Sequence, residues 1–333
     1  MPQINKQAAR EFLDNITSKD KIAIIHHDDG DGFCSGILLY DHAKSKGATI
    51  ETFPYNLSDS SLENLPLKPF NKIIITDISS KATQEEIKSI QEKQILYIDH
   101  HPKFPLPDSV LQLITVDEGY FPTSKTIYEI LGQKKWLAII GTISDSAQFY
   151  KENDNFINTY LESKNTNLKQ FQEEYVFPLT NVIICLKQTP EKIFPVLEKI
   201  SSLEEIKTLK KYSEEIENEL KKYGKKYEEE KEKFGDISLF YYEPKFSINK
   251  PLINMISRKY PERVQVFMSP NKEYINIGTR DQSEKIGVNL LLETATKNLE
   301  NSKSGGHRRA SGGTIMKKDL EKFKQNLKDY LKK

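Results

Sequence analysis

The chain has 333 residues, of which 37% are hydrophobic and 29% are charged, and its formal net charge is only +1. This composition is typical of a soluble globular protein with room for two domains, and it argues against a uniformly basic surface while leaving a local basic groove open. Two cysteines are too few for a disulfide framework and suit a reducing compartment. Because no apolar run approaches the roughly 20 residues of a membrane span and the N-terminus lacks an apolar signal core, we expect a cytoplasmic protein without a membrane partner.

Short apolar runs alternate with helical patterns through the first half of the chain. The predicted strands are 21–27, 48–55, 71–77 and 95–101, and the predicted helices are 32–47, 82–93, 122–132 and 135–149, with further helices over roughly 155–200. Apolar runs that are separated by helices indicate βαβ units and a parallel sheet that is buried on both faces.

The second half begins with a change in composition. Residues 203–234 are almost entirely Glu, Lys, aliphatic residues and Tyr, with apolar positions at steps of three and four, which predicts a long exposed helix with one apolar stripe. Strands at 236–243, 263–269 and 273–280, helices near 250–260 and 285–298, a glycine-rich loop, a short strand and a lysine-rich helix are predicted to follow. We therefore predict an α/β protein with a parallel-sheet catalytic domain (1–200), a helical linker (201–235) and a smaller α/β substrate-binding domain (236–333).

Acidic residues and histidines follow four of the predicted strands or helices. They are His27, Asp29 and Asp31 after the first strand, Asp77, then Asp99, His100 and His101, and finally Asp145. Because the carboxyl ends of parallel strands meet at one edge of a sheet, we expect these side chains to converge. Carboxylates gathered in one place repel one another and raise each other's pKa unless cations neutralise them.

Divalent metal ions supply that neutralisation. Carboxylate with some imidazole suits Mn²⁺ or Mg²⁺, with Fe²⁺, Co²⁺ or Zn²⁺ as alternatives. Two ions about 3.5–4 Å apart activate a water and hold phosphoryl oxygens during in-line attack. Asp77, central in this set, is the natural carboxylate to bridge them.

A calcium loop is the main alternative for the segment Asp29-x-Asp31-Gly32. That pattern requires an acidic residue six positions after the glycine, and Leu38 stands there instead. Outside the expected ligand set are the solvated Asp28, the helix-face His42, and His26, whose role stays open.

These residues also resemble the four motifs of the DHH phosphoesterases. Asp99-His100-His101 follows an apolar strand, His27-x-Asp29-x-Asp31-Gly32 and Asp77 precede it, and Gly141–Asp145 comes after it. The segment Pro122–Tyr128 looks like a helix start that the family has between its third and fourth motifs. Gly305–Gly312 resembles the glycine-rich motif of the DHH-associated C-terminal domain.

The resemblance implies a two-metal site. In it, His27, Asp29 and Asp77 hold one ion, whereas Asp31, Asp77, His100 and Asp145 hold the other. Asp77 and His101 are the implied catalytic residues, with His101 beside the substrate phosphate. The implied substrate contacts of the C-terminal domain are Arg280, Gly305, Gly306 and His307.

The glycine-rich segment also has a chemical argument of its own. Consecutive glycines let backbone N–H groups approach phosphate oxygens, and Arg308 or Arg309 adds a bidentate contact while His307 donates a hydrogen bond. For the glycines alone, a tight turn between a helix and a strand is the better interpretation. With His-Arg-Arg inside the segment we favour substrate binding, and we expect the active site in the cleft between the domains.

Two departures leave the subfamily open. Only one residue separates His27 from Asp29, as in the RecJ-like branch and not as in nano-RNases, and Ser304 and Arg308 replace a common glycine and a frequent proline. We expect Mn²⁺-dependent hydrolysis of short RNA or DNA oligonucleotides to mononucleotides, because no segment resembles an additional fold for gripping long single strands. The alternatives are a RecJ-like exonuclease on single-stranded DNA, a cyclic-dinucleotide phosphodiesterase, a nucleoside bisphosphate phosphatase and a non-catalytic nucleic-acid-binding scaffold. A homodimer is compatible with the sequence.

Overall fold

The computed structural model describes residues 4–56 and 60–331. They divide between two units, within the bounds Met1–Ser213 and Glu214–Lys333, and each unit has its own sheet. The strands of the first unit are β1 (Lys21–His27), β2 (Thr49–Tyr55), β3 (Lys72–Thr76), β4 (Gln94–Asp99) and β5 (Val110–Ile114). They pair in parallel in the order β2-β1-β3-β4-β5, which confirms the predicted α/β class.

Helices pack against one face of this sheet, and loops with 3₁₀ turns cover the other. The helices of the first unit are α1 (Lys6–Asp14), α2 (Gly30–Ser45), α3 (Ser80–Thr83), α4 (Thr123–Leu131), α5 (Lys135–Ser144), α6 (Asp154–Ser163), α7 (Leu168–Phe171), α8 (Phe177–Leu186) and α9 (Ile193–Leu197). Alternate residues of β1 enter two different hydrophobic clusters: Ile22 and Ile24 pack with α2 and α5, whereas Ala23 and Ile25 pack in the opposite cluster. Since successive strand residues point to opposite faces, the sheet is buried on both, as the apolar runs predicted.

The second unit is built on a mixed sheet. Helix α10 (Lys210–Glu230) begins in the first unit and continues into the second. The remaining elements are β6 (Glu232–Phe234), β7 (Ile237–Tyr241), α11 (Asn249–Lys259), β8 (Val264–Asn271), β9 (Tyr274–Arg280), α12 (Val288–Thr296), β10 (Lys303–His307), β11 (Ala310–Met316) and α13 (Leu320–Tyr330). The strand order is β10-β11-β9-β8-β7-β6, with β7 and β8 parallel and the other pairs antiparallel. No helix within the described residues is both long and apolar enough to cross a membrane.

The predicted helix over 82–93 is wrong. The structure has the four-residue helix α3 and then a 3₁₀ turn over Glu86–Ile90, after which β4 begins. Only Ile87 and Ile90 of this turn are buried, and a spacing of three residues places both on one face of a 3₁₀ turn. A longer α-helix would gain no further buried apolar side chain.

The glycine-rich loop is a correction of the same kind. The segment forms β10, which pairs with β11 as a hairpin whose two turn residues are Arg308 and Arg309. Gly306 has φ +134°, and a Cβ there would lie 2.6 Å from the carbonyl oxygen of Ala310, so the hairpin needs glycine at this position. The glycines allow close backbone pairing here, whereas the sequence predicts a glycine-rich loop.

One further strand and one helix boundary differ from the sequence prediction. Strand β5 was not predicted, because its five residues contain the polar Gln112 and only pairing with β4 defines them as a strand. The long helix starts at Lys210 and not at 203, since Glu204–Leu209 forms a 3₁₀ segment.

Candidate metal centre

Three strand ends of the parallel sheet stand at the same level. His26 of β1 pairs with Thr76 of β3, and Thr76 pairs with Ile98 of β4. The next residue along each strand, His27, Asp77 or Asp99, therefore lies at the carboxyl edge of the sheet. This register explains how residues separated by about 20 to 70 positions in sequence reach one site.

His27, Asp29 and Asp77 form the first group. The Nδ1 atom of His27 lies 3.4 Å from Oδ2 of Asp29 and 3.9 Å from Oδ2 of Asp77. Asp29 is the N-cap of α2, and its carboxylate accepts a hydrogen bond of 3.1 Å from the backbone N–H of Gly32. The start of α2 thus fixes Asp29 beside the end of β1.

Asp77, His100 and Asp145 form the second group. The Nε2 atom of His100 lies 3.3 Å from Oδ1 of Asp77 and 3.7 Å from Oδ2 of Asp145, which is the C-cap of α5. The two oxygens of the Asp77 carboxylate therefore serve different groups, Oδ2 toward His27 and Oδ1 toward His100. This is the arrangement of a carboxylate that bridges two ions.

The separations and charges fit divalent ions. Two ligands that each lie about 2.1 Å from one ion are at most about 4.2 Å apart, and the four separations above fall within that limit. Burial opposes the protonation of His27 and of His100, but the carboxylates of Asp29 and Asp77 raise the pKa of His27 to about 10, and those of Asp77 and Asp145 raise the pKa of His100 to about 10. Positive charge therefore stabilises the cluster. Divalent ions would supply it in place of the protons on His27 and His100.

Asp31 is held by the start of helix α4. Its Oδ2 accepts a hydrogen bond of 2.7 Å from the N–H of Thr123, and its Oδ1 accepts one of 3.2 Å from the N–H of Ser124 and another from the Ser124 hydroxyl. Burial, together with the charges of Asp77 and Asp145, raises the pKa of Asp31 well above its usual range. The positive end of the α4 dipole offsets part of this cost.

Close packing of α5 keeps this arrangement in place. A Cβ at Gly141 would lie 2.7 Å from Oδ1 of Asp31 and would also clash with Ser124. The Thr123 hydroxyl donates to Oδ1 of Asp77 at 3.1 Å, so the same helix start contacts two of the clustered carboxylates. This helix start is recognisable in the sequence as a motif, but local pattern assigns no role to Thr123 or Ser124.

Asp99 is a further member of the site. It is 1% exposed, and its Oδ1 lies 2.7 Å from Nδ1 of His101, whose side chain is 37% exposed. One ligand atom from each of Asp77, Asp99, His100 and His101 lies within 4.8 Å of the others. Asp99 lies outside the ligand set expected from the sequence, although its place at the end of β4 is a signal that includes it.

Tyr120 was also missed. Its hydroxyl donates a hydrogen bond of 2.6 Å to Oδ2 of Asp145, and its ring meets that of His100 edge to face at 5.2 Å. Burial and the charge of Asp145 raise the pKa of Tyr120, so the hydroxyl stays protonated and remains a donor. Nothing in the spacing of Tyr120 relative to the acidic motifs signals this contact, because a loop brings it there.

Asp77 has a strained backbone. Its φ is +60°, a left-handed conformation that costs non-glycine residues free energy, although aspartate tolerates it better than most. The backbone N–H donates to the carbonyl of Ile98 at 3.0 Å, and the residue is only 2% exposed. Such strain, held in place by the neighbouring strand, is typical of functional positions.

Two further histidines, His26 and His42, lie apart from the cluster, whereas Asp28 borders it, with Oδ1 3.8 Å from Nε2 of His27. His26 is fully buried against Phe33, and burial lowers its pKa to about 4, so it is a neutral core residue. His42 is buried on α2 with Nε2 3.2 Å from the carbonyl oxygen of Leu13. Asp28 accepts a hydrogen bond of 2.7 Å from Asn56.

In the second unit, part of the expected substrate set lines a groove of about 320 Å³. Arg280 and Gly306 are among its lining residues, together with Lys250 of α11. The Nε of Arg280 donates to the side chain of Asn254 at 2.7 Å. Gly305, His307 and Arg308 are exposed and do not line the groove, and Arg308 donates to the carbonyl oxygen of Glu284 at 2.9 Å.

A parallel sheet with a buried aspartate–histidine cluster at its carboxyl edge defines a metal-dependent α/β enzyme. The model of the DHH family N-terminal domain matches residues 21–158, and that of the DHHA1 domain matches residues 246–333. The chain belongs to the DHH family of metal-dependent phosphoesterases and carries a C-terminal DHHA1 domain, as its motifs predicted.

Solved structures share this fold at low sequence identity. A structure of exonuclease RecJ bound to manganese is 16% identical with a TM-score of 0.70, and the match covers 99% of this chain and 95% of that one. RecJ from Thermus thermophilus in complex with Mn²⁺ is 15% identical with a TM-score of 0.73; the match covers 99% of this chain but only 55% of that one. An exopolyphosphatase-related protein from Bacteroides fragilis is 15% identical with a TM-score of 0.55, and the match covers 99% and 98% of the two chains. A comparison with curated proteins gave no match.

Proposed function

We propose that this phosphoesterase hydrolyses the terminal phosphodiester of short RNA or DNA oligonucleotides and releases mononucleotides, with two Mn²⁺ ions bound. The observation that carries the proposal is the position of Asp77. Its two carboxylate oxygens lie 3.9 Å from His27 and 3.3 Å from His100, so that one buried side chain joins two ligand groups.

The proposed ligands follow the division that the resemblance implies. His27, Asp29 and Asp77 would hold one ion, and Asp31, Asp77, His100 and Asp145 would hold the other. When bound, such a pair activates a water and neutralises the phosphoryl oxygens. The fold positions the ligand side chains, because β1, β3 and α5 end beside one another. The start of α4 orients Asp31 and Asp77. Preorganised ligands of this kind cost no rearrangement when the substrate binds.

His101 is proposed to contact the substrate phosphate. Although burial lowers it, the hydrogen bond and charge of Asp99 raise the pKa of His101, which favours the protonated ring. With Nδ1 committed to Asp99, Nε2 is the atom left to donate to a phosphoryl oxygen. Asp99 thereby fixes both the orientation and the charge of the ring.

The groove of the second unit is proposed to bind the substrate strand. Lys250 and Arg280 bring two positive charges to it, and Gly306 contributes backbone beside them. Gly305, His307 and Arg308 complete the proposed substrate set through the exposed hairpin. Arg308 has to exchange its contact with Glu284 for a phosphate, which makes it the weakest member.

Solved structures of similar fold support both the use of Mn²⁺ and exonuclease activity. Structures with the same fold are named as exonuclease RecJ and hold Mn²⁺ or Mg²⁺. A RecJ-like exonuclease on single-stranded DNA is the second candidate, because the spacing of His27 and Asp29 resembles that branch. A cytoplasmic location is also proposed, since a chain with two cysteines has no disulfide framework and suits a reducing compartment. The homodimer and the boundaries 1–200, 201–235 and 236–333 stay predictions.

A hydrolysis panel with Mn²⁺ tests the proposal. The substrates are dinucleotides, longer RNA and DNA with a label at either end, a cyclic dinucleotide and a nucleoside bisphosphate. We expect mononucleotides from dinucleotides at the highest kcat/KM, with the first labelled product giving the polarity. Faster degradation of long single-stranded DNA than of dinucleotides would favour the second candidate, and cleavage of only the cyclic substrate or the bisphosphate would refute both.

A further inference from the structure

An exposed aromatic side chain, Tyr150, stands beside the metal centre, and a second exposed one, Phe149, precedes it in the sequence. In the first unit, as far as the structure describes it, Phe149 is 62% exposed and Tyr150 is 39% exposed. They are consecutive and follow Asp145 closely in sequence. A third aromatic side chain of this unit, Phe177 on α8, is 44% exposed. Neither Phe149 nor Tyr150 has a part in the metal site described above.

Ring contacts connect Tyr150 to the metal ligands. The Tyr150 ring is stacked on that of Tyr120, with centroids 4.2 Å apart and planes within 13° of parallel. The hydroxyl of Tyr120 binds Asp145 at 2.6 Å, and its ring meets His100 at 5.2 Å. Tyr150 is thus separated from two ligands by one intervening ring, a distance that the sugar between the base and the phosphate of a nucleotide can span.

The segment that carries Tyr150 is held firmly to Tyr120. The buried side chain of Asn153 donates to the carbonyl oxygen of Tyr120 at 2.8 Å and to that of Ala147 at 3.1 Å. The N–H of Tyr120 donates to the carboxylate of Glu152 at 2.7 Å, and the N–H of Asn153 donates to the carbonyl of Tyr150 at 2.9 Å. These bonds on both sides of the stacked pair fix its geometry before any ligand arrives, which lowers the entropic cost of binding.

We propose that Tyr150 forms a stacking platform for the base of the nucleotide whose phosphodiester lies at the metal centre. The inference rests on the proposed function, since it names the part of the substrate that this surface binds. Stacking on an aromatic ring accepts any base, because every base offers a π face. The platform therefore makes the enzyme selective for nucleotides over other phosphate esters without making it selective for sequence.

Fluorescence tests the platform independently of hydrolysis. Trp136 is the single tryptophan of the chain, so Trp136→Phe gives a silent background into which Tyr150→Trp is introduced. Adenosine 5′-monophosphate and ribose 5-phosphate, each titrated with Mg²⁺, differ only in the base. We expect the nucleotide to quench the fluorescence at position 150 and the sugar phosphate not to. The matched control, Phe177→Trp in the same background, is expected to respond to neither. Equal quenching by both ligands, or quenching by neither, would overturn the proposal.

Kinetics test the same idea in the wild-type background. Loss of one stacked base contact corresponds to about a 5- to 150-fold effect. Tyr150→Ala is therefore expected to reduce the preference for a dinucleotide over its analogue lacking one base by that factor, mainly through KM. Tyr150→Trp should restore the preference, and Phe177→Ala should leave it as in the wild type. An equal loss on both substrates would overturn the platform.

The outcomes separate this inference from the function on which it rests. If the wild-type enzyme cleaves no oligonucleotide but position 150 is quenched by the nucleotide alone, the proposed substrate fails and the platform stands. If oligonucleotides are cleaved and neither assay shows dependence on the base, the platform fails alone. If Tyr150→Ala changes the molar mass measured by light scattering without changing the preference for a base, the exposed rings of Phe149 and Tyr150 form a protein interface. That result would overturn the proposal.

Discussion

Replacement of Tyr120 by phenylalanine removes one hydroxyl that contacts a metal ligand. The hydroxyl donates a 2.6 Å hydrogen bond to Asp145 and stays protonated because burial and the neighbouring carboxylate raise its pKa. The ring itself stays stacked on Tyr150 and edge-on to His100, since neither ring contact involves the hydroxyl. Tyr120→Phe therefore removes the hydroxyl's hydrogen bonding to Asp145 and keeps both ring contacts.

The size of the effect follows from the kind of bond. A hydrogen bond to a charged group contributes about 1.5–3 kcal/mol, which corresponds to roughly 10- to 100-fold in an equilibrium constant. Residues that orient metal ligands typically affect metal affinity by the same factor. We expect Tyr120→Phe to weaken the binding of one Mn²⁺ ion by roughly 10- to 100-fold and to leave the other nearly unchanged, because Asp145 is assigned to one ion only.

Isothermal titration calorimetry with Mn²⁺ measures both affinities. The matched control is Tyr150→Phe, which changes the other ring of the stacked pair and should leave both affinities unaltered. If Tyr120→Phe binds two ions as tightly as the wild type, or if the control loses as much affinity, Tyr120 does not orient Asp145 toward a metal ion.

Asp77→Asn should lower hydrolysis at least about 1,000-fold, since both ions lose a ligand. Asparagine, like aspartate, tolerates a φ of +60°, so the fold should be retained; loss of the wild-type circular-dichroism spectrum would contradict this. His307→Ala should raise KM for a dinucleotide about 10-fold, and an accompanying loss of Mn²⁺ affinity would count against a substrate role. Asp20→Asn should cost roughly 2 kcal/mol near neutral pH, because hydrogen bonds from Lys72 and Asn71 outweigh burial and lower the pKa of Asp20 to about 2. That stabilisation exists above the usual pKa of 3.8 and is lost as the pH falls toward 2, so the difference in unfolding free energy between the two proteins should shrink over this range.

The sequence predicted the convergence of the acidic residues for a sound physical reason. The strands that precede His27, Asp77 and His100 are continuous apolar runs, which indicate a parallel sheet, and such a sheet aligns the carboxyl ends of its strands. Strand alignment does not predict the position of Asp145, because this residue follows a helix. Its place depends on how α5 packs against α2 and α4. The central position of Asp77 in the motif order agrees with its contacts to both histidines.

What the sequence could not supply are contacts made by loops and helix starts. Tyr120 reaches Asp145 only because a loop places it there, and Thr123 and Ser124 reach Asp31 from 92 and 93 residues away. Local pattern carries no information on such distant hydrogen bonds. The glycine-rich hairpin was missed for a related reason: glycine favours turns locally, and only the pairing of β10 with β11 makes the segment a strand.

The pair of metal ions at Asp77 can be observed directly. Anomalous diffraction at the manganese edge from crystals grown with Mn²⁺ should show two peaks about 3.5–4 Å apart. Each is expected within about 2.2 Å of a different oxygen of the Asp77 carboxylate, one near His27 and the other near His100. A single peak, or two peaks that share no carboxylate, would contradict the two-metal phosphoesterase described here.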